Sequence, residues 1–210
     1  MRLSILLFYI FLFVSGGFLY SQSIQNDELI TNLSVYSKLL EKNLGSLENQ
    51  LVIIGNDKIF CVKINAKSGI NEYLYLKIRQ RLNSFRIISD LDSANSDYIV
   101  EFENVNFLTK YEKIFGSIIK SRKVQRRIDV LYDYKIKRIY GDSIINNKSL
   151  SDFNEDDFYL DRVEDVERGG YDFLKGTLPE QSFFEKAFVP GIVSLVSAVA
   201  IVLFFVIRSK

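Results

Sequence analysis

The side chains able to do chemistry in this chain are few in kind. Histidine is absent and there is one cysteine, Cys61, among 210 residues. Ser-His-Asp and Cys-His catalysis are therefore excluded, together with histidine-bearing or all-cysteine zinc sites and cysteine-ligated iron–sulfur clusters. Carboxylate chemistry survives, but no pair of acids is set apart by its spacing. Cys61 sits in Ile59-Phe60-Cys61-Val62, where a small buried apolar side chain is the expected role. No disulfide can form within the chain.

Two charge clusters stand out. From Lys110 to Arg127 there are seven bases, Lys110, Lys113, Lys120, Arg122, Lys123, Arg126 and Arg127, against one acid, Glu112. They interleave with Tyr111, Ile114, Phe115, Ile118 and Ile119, a pattern that suits an anionic surface or an acidic partner, or else a solvated hairpin. From Asp152 to Glu167 there are eight acids against one base, Arg162. Asp152, Asn154 and Asp156 imitate the start of a calcium loop, but Asp157 stands where glycine is needed and Val163 where glutamate is needed. Acids in the first turn of a helix explain the cluster without a metal. No cofactor is expected.

The ends of the chain predict place and topology. A ten-residue apolar run, Ile5 to Val14, follows Arg2 and precedes Ser15-Gly16-Gly17, the pattern of a secretory leader cleaved after Ser21, with an uncleaved anchor as the alternative. A 21-residue apolar run, Ala187 to Ile207, is followed by Arg208 and Lys210. At about 1.5 Å per residue it matches a hydrocarbon core about 30 Å thick. The expectation is a single-pass membrane protein, its domain extracytoplasmic (periplasmic) and its C-terminus cytoplasmic. Gly191, Ser194 and Ala198 would give the span a face for close helix packing.

The resulting plan is a leader over 1–21, a domain over 22–178, a linker over 179–186, the span over 187–207 and a tail over 208–210. Without Arg2, Arg208 and Lys210, 24 bases face 26 acids, a balance that argues against nucleic acid as partner.

Within the domain, Asn26 or Asp27 is expected to cap a helix through Leu29, Ile30, Leu33, Tyr36, Leu39, Leu40 and Leu44, ending near Gly45. Leu51–Ile54 and Ile59–Ile64 read as a hairpin around Gly55-Asn56-Asp57. A second helix from Ser68 through Leu82 leads into a strand at Phe85–Ser89, and another strand runs from Tyr98 towards Phe107. Val124, Arg126, Ile128, Val130, Tyr132, Tyr134 and Ile136 alternate along the clearest strand, long enough to suggest a bend or a hairpin arm. Ile139–Ile145 turns into a returning strand, and an acidic helix runs from Ser151 or Asn154 to Arg168. The predicted class is α+β, a mostly antiparallel sheet with two or three packed helices and a C-terminal transmembrane helix.

The helix Tyr73–Asn83, the strand Phe85–Ser89, the segment Ala94-Asn95-Ser96-Asp97-Tyr98-Ile99-Val100 and the strand Ile128–Tyr134 together resemble small envelope accessory domains. The kinds meant are the lipopolysaccharide-assembly lipoprotein and the N-terminal domain of the Tol-system propeller protein. The resemblance covers about residues 58 to 145. It implies envelope work and carries over no functional residue.

The expected function is therefore a non-enzymatic, membrane-anchored accessory or scaffold protein that binds another envelope component. The alternatives are a carboxylate-dependent envelope hydrolase, which needs two facing acids, and an anionic-lipid-binding domain.

Overall fold

The computed structural model describes residues 29–89, 95–116, 122–141, 143–180 and 183–208. The leader, the caps expected at Asn26 or Asp27, Lys120 and the end of the tail lie outside these residues. Helix α1 spans Asn32–Ile54, with Thr31 as its N-cap accepting from the Ser34 amide at 3.2 Å. Its first turn thus has a side-chain partner for one of its free N–H groups. The apolar period found at Val35, Tyr36, Leu39, Leu40 and Leu44 continues through Leu47 and Leu51, all buried. Gly45 does not end the helix. Gly55 does, at φ 124°, a backbone conformation open to glycine. Leu51–Ile54 is therefore the last helical turn rather than half of a hairpin.

Strand β1 (Ile59–Ile64) leads through helix α2 (Ile70–Arg81) to β2 (Arg86–Ser89), and β1 pairs with β2 in parallel. Strand β3 (Tyr98–Phe115) lies parallel to β1 on its other side. Strands β4 (Lys123–Arg138) and β5 (Ile144–Tyr159) then add an antiparallel meander, giving the order β2-β1-β3-β4-β5. The sheet is mixed, which corrects the expectation of a mostly antiparallel one: a helix between two strands returns the chain in the direction it started.

Residues 152–159, expected as an acidic helix, are the second half of β5, and only Val163–Val166 (α3) is α-helical. The long alternating segment is one strand, β4, and its neighbour β3 absorbs the twist with register shifts at Glu103/Asn106 and Tyr111/Lys113. Helices α1 and α2 cover one sheet face. Tyr36, Leu40, Leu74, Ile78, Phe60, Phe102, Tyr132 and Tyr134 meet there, each at most 1% exposed. At about 1.5–3 kcal/mol per large buried side chain, this layer dominates stability.

The last helix, α4, spans Phe183–Arg208. Among the described residues no helix is long and apolar enough to cross a membrane. The transmembrane helix over 187–207 is thus not sustained. The single-pass localisation, the extracytoplasmic domain with a cytoplasmic C-terminus, and the membrane as partner through that span fall with it. Among the described residues the fold is α+β, with a mixed five-stranded sheet and four α-helices.

Candidate interaction surface

Strand β1 pairs with β3 only as far as Ile64 opposite Phe102. Beyond that point β3, β4 and β5 continue as a three-stranded antiparallel arm, to Phe115 opposite Lys123 and Lys123 opposite Tyr159. Because side chains alternate across a strand, the arm has two unlike faces. Phe107, Thr109, Tyr111, Val124, Arg126, Ile128 and Val130 point to the helices and are buried.

The register places Lys110, Lys113 and Phe115 of β3 on the opposite, solvent side. Lys123, Gln125, Arg127, Asp129 and Leu131 of β4 join them there, with Phe153, Glu155, Asp157 and Tyr159 of β5. Phe115, Leu131, Phe153 and Tyr159 are 38%, 37%, 53% and 36% exposed, a density of large apolar side chains unusual for a solvated sheet face. Lys113, Phe115, Gln125 and the β5 residues Glu155, Asp156 and Asp157 line a depression of about 340 Å³.

The acidic and basic runs of the sequence pair with one another. Lys123 meets Asp157 at 2.8 Å, Arg127 meets Glu155 at 2.6 Å and Asp129 at 2.9 Å, and Arg126 grips both oxygens of Asp156. The Arg127 guanidinium also lies 4.3 Å from the Phe153 ring centroid. Towards the other end of the solvent face, Lys135 pairs with Glu103 and Lys137 with Glu101. Asp133 is held below the ordinary carboxylate range by hydrogen bonds from Ser149 and Asn104, the second at 2.6 Å. These carboxylates are the cross-strand glue of the sheet.

The seven bases singled out in sequence therefore have different fates. Lys110 and Lys113 are exposed and pair with no acid among the described residues. Lys123 and Arg127 share their face but are ion-paired, while Arg122 is half-buried, its carbonyl accepting from the Leu160 amide at 2.9 Å. Arg126 is 1% exposed and points to the core. Its Nη1 donates to the Ile30 carbonyl at 2.9 Å and to Asn32 Oδ1 at 2.6 Å, and Phe158 lies 5.1 Å from its guanidinium carbon. Gly191, Ser194 and Ala198 are exposed on α4, with open space around a Cβ built at Gly191.

Sequence reasoning found Phe115 but missed the β5 aromatics of this face, Phe153 and Tyr159. Their signal was the alternation of Ser151, Phe153, Glu155, Asp157 and Tyr159, masked by the density of acids. Among the described residues no group of three or more acids, with Cys61 included, is placed to hold a metal.

Fold and surface together define an α+β domain with one sheet face packed by helices and the other given over to paired charges and exposed aromatics. No protein-family model matches the chain, and no curated protein does. Among solved structures it is similar to a minor lipoprotein from Acinetobacter baumannii, 18% identical, with a TM-score of 0.30 over 50% of this chain and 67% of that one. It is also similar to a neuraminyllactose-binding hemagglutinin homologue from Helicobacter pylori, 10% identical, with a TM-score of 0.33 over 46% of this chain and 63% of that one. Both are loosely consistent with the envelope accessory domains that the sequence resembles, and likeness at this level carries no argument.

Proposed function

We propose that this chain is a non-enzymatic accessory or scaffold protein of the cell envelope, whose domain binds another envelope protein through the solvent face of the arm. The observation that carries the reading is the grouping of exposed Phe115, Phe153 and Tyr159 with Lys110 and Lys113, two cations without an acid partner among the described residues. Aromatic anchors bordered by charge are what protein interfaces use. The apolar run Ile5–Val14 behind Arg2 supports the envelope as its place of work.

The test is affinity purification of the full chain from its native host, wild type against a Lys110→Glu, Lys113→Glu double variant. The wild type should retain an envelope protein in near-stoichiometric amount. The double variant should retain at least about tenfold less, equivalent to about 1.4 kcal/mol, with an unchanged melting temperature. Equal recovery by both proteins would remove this face from consideration.

A further inference from the structure

Both ends of the domain are fastened at one buried point. At one end lie residues 29–32, the first described and here termed the entry turn, and at the other a strap runs from α3 across a 3-10 turn, Asp172–Leu174, to Gly176. Asn32 lies between the two and is fully buried. Its Oδ1 accepts from Arg126 Nη1 at 2.6 Å, while its Nδ2 donates to the Leu174 carbonyl of the strap at 2.6 Å. One amide therefore serves the guanidinium and the strap at once, and neither contact permits it to flip.

Nδ2 also reaches Tyr111 Oη at 3.3 Å, and the Tyr111 hydroxyl donates to Glu167 Oε1 at 2.9 Å. The same oxygen accepts from the Gly176 amide at 2.8 Å. Gly176 is needed there, since a Cβ would lie 2.7 Å from the Tyr111 ring. Loss of the strap would leave the buried Asn32 Nδ2 without its carbonyl, and loss of the entry turn would leave the Arg126 guanidinium short of two acceptors. Each loss loosens the partner of the other.

We propose that this network is a conformational clamp, in which ordering of the entry turn and docking of the strap form a single cooperative unit. Tension or partner binding at one end of the domain is then felt at the other. The clamp does not depend on the interaction surface proposed above.

Hydrogen exchange of the full chain tests it from both sides. Glu167→Ala removes the acceptor shared by Tyr111 and Gly176. It should speed exchange at least about tenfold both in 172–176 and at the Ser34 and Val35 amides of the first turn, leaving β4 amides 128–136 unchanged. Thr31→Ala frays the entry turn without touching the strap, and should likewise speed exchange in 172–176. Acceleration confined to the mutated end would overturn the clamp. Acceleration spreading through 128–136 would overturn it too, since the unit would then not be local.

Discussion

Arg126 and Arg127 are neighbours in sequence and opposites in environment, so truncating each in turn measures what the fold does with a charge. Arg126→Ala removes four donated hydrogen bonds, two to Asp156 and one each to Ile30 and Asn32. Removing one partner of a buried pair costs about 3–5 kcal/mol, chiefly from the charge left behind. Asp156 keeps 29% side-chain exposure, so water offsets part of that cost and the lower end, about 3 kcal/mol, applies. With a urea slope of about 1.5–2 kcal/mol per molar for a domain of this size, the midpoint should fall by about 1.5–2 M at unchanged slope. Arg127→Ala loses solvent-screened surface pairs and a ring contact, so its midpoint should move far less than that of Arg126→Ala. Replacing the pair together, Arg126→Met with Asp156→Leu, should recover only the part of the loss due to the charge left behind, since the Ile30 carbonyl and the buried Asn32 Oδ1 still lack their donor. Equal midpoints for the two alanine variants would refute the reasoning and return Arg126 to the surface.

Other outcomes follow from the same structure. Burial holds the Tyr73 hydroxyl neutral, its pKa pushed up from 10.0 to about 12, and burial pushes Tyr36, Tyr111 and Tyr132 higher still. Folding binds those protons more tightly, so their stabilisation is complete below pH 10 and is lost as pH rises from 10 towards and past 12. Tyrosinate absorbance at 295 nm should therefore show a late group of tyrosines ionising together with unfolding. Leu40→Ala opens a cavity at a fully buried position between α1 and the sheet, and should cost about 3 kcal/mol in urea denaturation. Gly55→Ala forces a side chain into φ 124° and to within 2.8 Å of Asp57 Oδ1, and should lower stability by about 1–2 kcal/mol.

Local periodicity made α1, α2 and β4 legible, because their buried residues repeat at three-and-four or at two. Sequence alone ends α1 too early, at Gly45, because a glycine inside a helix resembles a stop. Leu47 and Leu51 carried the period past it. Strand direction is not legible in the same way, since alternation within a strand does not report the direction of its neighbour, and the β1–α2–β2 unit makes the sheet mixed. The acidic segment departs furthest from its local signals. Residues 152–157 satisfy the rules for a helix start, but Arg126, Arg127 and Lys123 stand opposite them in the β4–β5 register, and those long-range pairs outweigh a macrodipole. The same register divides the basic run into a solvent set and a buried arginine. Asn32 and Glu167, which complete the buried network, lie too far from Arg126 in sequence for spacing to join them.

Site-specific photo-cross-linking in the native host tests the interaction surface most directly, with benzoylphenylalanine replacing Phe153 on the solvent face in one strain and Val52, exposed at the end of α1, in another. The account predicts a discrete cross-linked envelope protein from position 153 and none from position 52. Identical adducts from both positions, or none from 153, would contradict it.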